Sequence, residues 1–412
     1  MPDVYVVGVG MTPLGRHINK TVVELAATAL DAVFADANCS PELIDGAWFA
    51  NTRLGIFEEQ HGIRGQVILR PYGLRNIPIF NTDNACASST AAFHLAYAWL
   101  KAGLGEVALV VGAEKMNYPD KKGLMFSAFK GGTDQRNYRE HFAKLISAAA
   151  GFPLPDGVLE TDRPRSIFMD SYAAAARLHM QQYGSTQRQL AAITAKNHHH
   201  ATMNPMAHYR EDMSIEQVLA DQPIVWPLTR SMCAPMTDGA GAAILCSESA
   251  LKRFDAKRAV RVRACQLTTG SGKGLEDVAF MPGRLVAERA YEQAELGPED
   301  ICVAEVHDAS AFGEVKQLEN LMLCEPGQGG WMAEQGESAL GGRLPVNPSG
   351  GLISKGHPIA ATGVIQLHEL VTQLRGEAGK RQVANARIGI AENGGGFYDG
   401  EEAVAAVTIL ER

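Results

Sequence analysis

The chain has 412 residues, 46% hydrophobic and 20% charged, enough apolar content for a core larger than one domain's. Its net charge of −8, with a pI of about 5.9 and no basic run, excludes nucleic acid as a partner and is too dispersed to name another. Seven cysteines without a Cys-x-x-Cys pair exclude a disulfide framework and point to a reduced, cytoplasmic protein, and no apolar run reaches membrane-spanning length.

Taken in order, Val4 to Val9 is a buried-strand run, free of the charged-then-apolar pattern of a signal segment. Thr21-Val-Val-Glu24 is a capping box, and the helix it opens runs to Ala37. Ser40-Pro-Glu42 turns the chain into a strand over 47–50. Ile77-Pro-Ile-Phe80 is a further strand, followed by a tight turn and a small-residue helix opening at Cys86. Glu106 to Gly112 is again a buried strand. Strands alternating with helices predict an α/β protein whose sheet is covered on both faces.

From 116 to 166 the regularity fails, with Tyr118-Pro-Asp-Lys-Lys-Gly123, Gly131-Gly-Thr133 and Pro153-Leu-Pro-Asp-Gly157. An excursion of this length between core elements reads as a lid or binding insert, or as a surface insertion with no role. Helices follow over 168–182 and 186–198, with Ser185 and Thr186 as caps, then a small-residue strand from Asp238 to Leu245. Ala37 to Ile44 is echoed by Ala294 to Ile301, each between an amphipathic helix and an apolar strand. The echo predicts two similar halves, 1–115 with 167–250 and 251–412, around the insert at 116–166.

Chemistry concentrates at four places. A sulfur at the mouth of the Cys86 helix faces unpaired N–H groups and the positive dipole end, which favours the nucleophilic thiolate. The same residue also reads as a small buried apolar side chain. In Glu305-Val-His-Asp-Ala-Ser310 a polar pair ends an apolar strand, where α/β folds place sites. His307 reads either as a site residue or as a satisfied histidine at a strand end. His357 stands between Gly356 and Pro358 at a helix mouth, and Ala391-Glu-Asn-Gly-Gly-Gly396 runs a strand into a triple glycine. His198-His-His200 cannot chelate one metal, because adjacent helical residues point about 100° apart. Cys233, Cys246, Cys265, Cys302 and Cys324 read as core, Cys324 on a helix stripe with Met322. Lys115, Lys121 and Lys122 read as a solvated face or as phosphate contacts.

Asn84-Ala-Cys-Ala-Ser-Ser89, the block from Asn347-Pro-Ser-Gly-Gly to Gly356-His-Pro-Ile-Ala-Ala-Thr-Gly363, and Gly394-Gly-Gly396 resemble the thiolase superfamily. His307-Asp308, Lys196-Asn-His198, Asn204-Pro205 and Met236-Thr-Asp-Gly239 resemble its sterol-carrier-protein-2-type branch. The match runs essentially end to end. It implies a five-layer α-β-α-β-α stack and acyl transfer from a coenzyme A thioester, with no permanently bound cofactor. Cys86 would hold the acyl group, His357 would take its proton, and His307 with His357 would bind a second thioester oxygen. Asn393, Gly394, Gly395, Gly396, Ser349 and Gly350 would bind substrate or stabilise an oxyanion. A homodimer or dimer of dimers is implied, with its interface near residues 77–84, and some relatives of the branch work with a small OB-fold zinc protein.

The chain departs from the family where a second cysteine removes a proton from the attacking carbon. Glu392 and Ala309 occupy the two usual positions. Glu392 reads as a replacement acid/base, if burial raises its pKa, or as a brace for the glycine turn. Three functions follow: carbon–carbon bond making or breaking, acyl transfer to an already nucleophilic carbon or to water, and a non-catalytic acyl-CoA-binding subunit.

Overall fold

The computed structural model describes residues 2–152, 154–155, 158, 165–274 and 277–412; Pro153, Asp156 and Gly157 of the insert lie outside them. Its strands are β1 (Val4–Met11), β2 (Gly46–Ala50), β3 (Ile79–Thr82), β4 (Val107–Glu114), β5 (Pro223–Val225), β6 (Leu228–Thr229), β7 (Gly239–Ser247), β8 (Val260–Thr269), β9 (Val303–Glu305), β10 (Ile388–Gly395) and β11 (Val404–Glu411). β5 and β6 pair with each other, and the others form one sheet in the order β3-β2-β4-β7-β1-β8-β11-β10-β9.

That sheet is two halves joined at β1 and β8, which pair only through Tyr5–Arg261 and Val6–Val260. Within each half the pattern is the same. β2 runs parallel to β4, which is antiparallel to β7, itself antiparallel to β1. β9 runs parallel to β10, which is antiparallel to β11, itself antiparallel to β8. Where β3 flanks β2, Val346 bridges Ala304 of β9 in parallel. The helix before β2 (Val22–Ala37) and the helix before β9 (Pro282–Ala294) both end on a left-handed residue, Asn38 and Glu295. A Pro-led single turn follows each, at Pro41–Leu43 and Pro298–Asp300. The sequence echo is therefore a structural repeat.

Helices cover the sheet in layers. Leu25, Leu30 and Val33 of the first helix pack on Leu109 and Ile244 on the outer face of the first half. Val286, Ala290 and Leu318 cover the outer face of the second half against Ile390 and Val407. Between the halves lie the helices Ser88–Lys101 and Thr362–Arg375, where Phe93, Leu100, Leu367 and Leu370 are fully buried. The result is a five-layer α-β-α-β-α stack, each buried Leu or Phe contributing roughly 1.5–3 kcal/mol. The two central helices meet at their N-termini: a Cβ on Gly363 would stand 1.8 Å from the Thr90 hydroxyl, so only glycine permits the approach. That crossing brings the two helix mouths together.

Several expected elements shift. The strand expected at 77–80 is β3, Ile79–Thr82. The helix expected to open at Cys86 begins at Ser88. Ala85 is left-handed (φ 50°), and the Ser88 hydroxyl donates to the Ala85 carbonyl at 2.6 Å and accepts from the Asn84 N–H at 2.8 Å. The chain must complete this turn before it can wind. Thr21 and Thr186 cap as expected, each in a capping box.

The insert is more regular than its composition indicates. It carries helices at Met125–Lys130 and Tyr138–Ala148. Phe142 stacks on Phe397 at 4.3 Å, and the Phe397 N–H donates to the Gly132 carbonyl at 2.9 Å. The insert is thus fastened to the residue that follows the triple glycine. Of the cysteines expected in the core, Cys246 and Cys265 are buried, whereas Cys233, Cys302 and Cys324 are partly exposed. Cys324 lies past the helix Ala311–Asn320, not on it, because Met322 takes a left-handed conformation (φ 59°). Lys115 is buried and donates to the His17 carbonyl at 2.7 Å, not to solvent.

Candidate active site

Cys86 sits in the turn between β3 and the central helix, and His357 sits in the equivalent connection of the second half. Nε2 of His357 lies 3.3 Å from Sγ of Cys86. Its Nδ1 lies 2.7 Å from the Thr362 hydroxyl, whose oxygen stands 3.5 Å from the Pro358 carbonyl oxygen. With that carbonyl accepting from Thr362, Nδ1 carries the imidazole proton and Nε2 presents a lone pair to the thiol.

The His357 loop has little freedom. Gly351–Lys355 is a single π-turn, a form that recurs at functional sites. Asp308 accepts from the Leu352 N–H at 2.6 Å and from Nδ2 of Asn197 at 2.9 Å. The Lys355 ammonium pairs with Glu305 at 3.2 Å, both buried. Gly356 takes φ 114°, which the backbone of a larger residue would resist.

His307 follows β9 and completes a cluster in which ligating atoms of Cys86, His307 and His357 all lie within 4.8 Å of one another. The rings of His307 and His357 are 5.3 Å apart and steeply inclined, at 65°. His307 is 4% exposed, yet neither ring nitrogen has a partner among the described residues. Two unused polar atoms at this depth are costly unless a ligand uses them.

Glu392 lies behind His307. Its Oε2 accepts from the His307 backbone N–H at 3.2 Å, and its Oε1 has no partner among the described residues. Asn393 points to the opposite face of β10, as strand alternation requires, and accepts from the Thr90 hydroxyl at 3.3 Å. The glycine turn presses on the Cys86 turn: a Cβ on Gly395 would stand 2.3 Å from the Asn84 carbonyl oxygen. Gly394 faces Glu402, and Gly396 faces the Gly132 carbonyl of the insert. Ser349 and Gly350 are set apart from this cluster. The Ser349 hydroxyl donates to Glu305 at 2.7 Å, and Gly350 packs against Ala201.

Burial dominates the electrostatics. It pushes the Cys86 thiol up to about 12, with the Arg53 charge pulling the other way. This corrects the expectation of a helix mouth that favours thiolate. The helix begins two residues later, at Ser88, and loss of water around the sulfur is the largest effect on it. Burial holds His307 down to about 4 and His357 well below the ordinary histidine range. Burial, and then the neighbouring Glu402, lift Glu392 well above the usual carboxyl range. At neutral pH the cluster is a neutral thiol beside two neutral imidazoles.

Three nearby residues carry no signal in the sequence reading. Tyr172, on the helix Ile167–Tyr183, is pushed up by burial and then by the nearby Glu402. Glu402 pairs with Lys316 at 3.2 Å beside Gly394. Arg53 acts on both Cys86 and His357. Only Arg53, just past the end of β2, stands where the strand-end rule points. His198, His199 and His200 bind different partners, the Glu211 carbonyl, Asp212 and the Asn347 carbonyl.

The chain matches the thiolase N-terminal domain family over residues 4–222 and the thiolase C-terminal domain-like family over residues 266–412. It is similar to acetyl-CoA acetyltransferase of Methanothermobacter thermautotrophicus, 33% identical over 415 residues and 100% of each chain. It is similar to sterol carrier protein 2 of Oryctolagus cuniculus, 33% identical over 95% of this chain and 70% of that protein. The benzoylsuccinyl-CoA thiolase subunit BbsB of Thauera aromatica is 31% identical over 92% of this chain and 91% of that one. Among solved structures, the "Ltp2-ChsH2(DUF35) aldolase" shares the fold with a TM-score of 0.77, covering 99% of this chain and 97% of that one at 22% identity. No helix among the described residues is long and apolar enough to cross a membrane. Matched in both halves and by relatives of the sterol-carrier-protein-2 kind, the chain belongs to the thiolase family, an acyltransferase-type enzyme of that branch.

Proposed function

We propose that Cys86 takes an acyl group from a coenzyme A thioester and passes it to a carbon nucleophile. The observation that carries this reading is the 3.3 Å contact between Sγ and an Nε2 whose lone pair is set by Thr362. The thiol proton moves to Nε2 of His357 as Sγ attacks the thioester carbonyl. The carbon–sulfur bond to coenzyme A breaks, and the departing thiolate takes the proton back from His357. A pair that starts neutral needs no preformed thiolate.

A second thioester oxygen fits the unpartnered nitrogens of His307, where an enolate would be stabilised. Backbone N–H groups around Cys86 and at Gly394–Gly396 serve the first oxyanion. Glu392 is the candidate to take the α-proton, acting from its ionised form, and its raised pKa brings it toward working pH. One specific observation favours a second reading, acyl transfer to an already nucleophilic carbon or to water: Glu392 lies behind the His307 backbone with one oxygen already engaged. α-Hydrogen exchange of acyl-CoA in deuterated water separates the two. Exchange supports the first reading, and acylation without exchange the second.

The edge of the sheet supports an assembly. β3 is an edge strand with Phe80 exposed, and an unpaired apolar edge needs a cover. We infer a homodimer, or a dimer of dimers, through β3 and the Asn81–Asn84 turn; a monomer by light scattering at micromolar concentration contradicts it. One relative is named as a subunit, and the structural neighbour's name joins Ltp2 to a DUF35 protein. A companion subunit, the small OB-fold zinc protein expected for this branch, is therefore part of the proposal. So is a cytoplasmic location.

A further inference from the structure

A cavity of about 690 Å³ opens beside the Cys86 turn, with Asn84 and Ala85 on one wall and Gly395 and Gly396 on another. That volume suits a small-molecule group. Three arginines line it: Arg53, Arg64 and Arg136. Two of them are accounted for. Arg64 bonds Asp83 at 3.4 Å and Arg136 bonds Asp134 at 3.1 Å. Both aspartates also line the cavity.

Arg53 is different. It is 6% exposed, its Nε has no partner, and its guanidinium makes no hydrogen bond or ion pair among the described residues. The acid that acts on it, Glu114, is already saturated. Its two oxygens accept from Nδ2 of Asn51, the N–H and hydroxyl of Thr52, the Arg53 N–H and the Ala360 N–H, five donors in all. A guanidinium offers planar, paired donors that match a carboxylate. Its Nε is buried without a partner, and the side chain lines the cavity, so a carboxylate entering there would find paired donors not engaged by any described residue.

We propose that this cavity receives the acyl portion of the thioester and that Arg53 binds a carboxylate on it, so that the preferred substrates are dicarboxylic acyl-CoA thioesters. The proposal rests on the acyl-transfer reading and adds the substrate class. Asn84 and Ala85, which line the cavity, immediately precede Cys86, the Arg53 charge acts on Cys86 and His357, and His61 keeps the lining polar.

The test is the rate of Cys86 acylation of the whole protein, read by mass spectrometry, with matched pairs such as glutaryl-CoA and valeryl-CoA. Wild type should prefer the carboxylated member by about ten- to a hundredfold, the scale of a buried charge-assisted hydrogen bond. Arg53→Gln should bring the ratio near one, and Arg53→Lys should keep part of it. Free glutarate should slow acylation of wild type by valeryl-CoA, which needs no variant to fold. Repeating the pairs as N-acetylcysteamine thioesters removes the coenzyme phosphates, and the preference should persist.

A wild-type ratio of one overturns the inference and leaves the acyl-transfer reading standing. So does an Arg53→Gln variant that slows all coenzyme A esters equally but no cysteamine ester, which assigns the anion to coenzyme A. Dissociation of the dimer by Arg53→Gln, with the ratio intact, assigns Arg53 to the interface instead. Failure of every thioester to acylate Cys86 defeats the acyl-transfer reading itself, and the substrate class with it.

Discussion

The Thr362 hydroxyl stands 2.7 Å from Nδ1 of His357, on the side of the ring away from Cys86. A hydroxyl that both accepts from Nδ1 and can donate to the Pro358 carbonyl selects one tautomer and one ring orientation. Thr362→Val keeps the shape and removes both bonds. Acylation of Cys86 should slow by about ten- to a hundredfold, the scale of losing a supporting hydrogen bond behind a reactive histidine. Thr362→Ser should stay near wild type. A valine variant at the wild-type rate would show that packing alone orients the ring.

The neutral state of the cluster predicts the pH profile. The Cys86 thiol is pushed up to about 12 and His357 well below the histidine range, so neither titrates near neutrality. Single-turnover acylation should be flat from about pH 6 to 9. A limb centred near 6.5 to 7 would mean that His357 has an ordinary pKa.

His307 gives a stability signature of its own. Its folded pKa of about 4 lies below the unfolded value of about 6.5, so between these limits the unfolded chain binds the extra proton. Its contribution is present above 6.5 and lost as pH falls toward 4. His307→Asn cannot titrate. Its unfolding free energy, compared with wild type in urea, should therefore improve by up to about 3 kcal/mol from pH 7 to 4. A difference independent of pH would contradict the burial of a neutral ring.

Gly395→Ala tests the contact between the glycine turn and the nucleophile turn. The added Cβ would lie 2.3 Å from the Asn84 carbonyl oxygen and 2.8 Å from the Ala87 nitrogen, both backbone atoms. A loss of about 1–3 kcal/mol is expected. Cys86 acylation should slow as its turn is displaced. Gly123→Ala, where nothing lies within 4 Å, is the control. Equal tolerance at both positions would refute the close packing.

Glu392→Gln separates the two enzyme readings. If Glu392 moves the α-proton, acylation should persist while condensation and α-hydrogen exchange fall by about a hundred- to ten-thousandfold. Gln keeps an acceptor for the His307 N–H, so a mere brace should cost little in either half. Wild-type exchange and condensation in the variant would remove Glu392 from the mechanism.

Much of this site is legible in the sequence because its parts sit at element ends. Cys86, His307 and His357 each follow a strand or precede a helix, in local patterns a reader can isolate. The repeat supplies the rest: it places Cys86 and His357 on equivalent connections, which is why residues 271 apart come into contact. The protonation state was not legible, since the thiol pKa depends on burial from several segments at once. Nor was Arg53, an ordinary arginine until its missing partner is seen. The helix Tyr138–Ala148 was hidden because Phe142 and Leu145 are its large buried apolar residues, set among Arg139, Glu140 and Lys144.

The central claim is that Cys86 is acylated by a coenzyme A thioester with His357 as its base. Intact-mass and peptide mapping after incubation with acyl-CoA thioesters, carboxylated and uncharged, tests it most directly. One acyl mass should appear on the peptide holding Cys86, vanish in Cys86→Ser, and form at least a hundredfold more slowly, as an order of magnitude, in His357→Asn. An adduct on another cysteine, or no adduct from any thioester, would contradict the account.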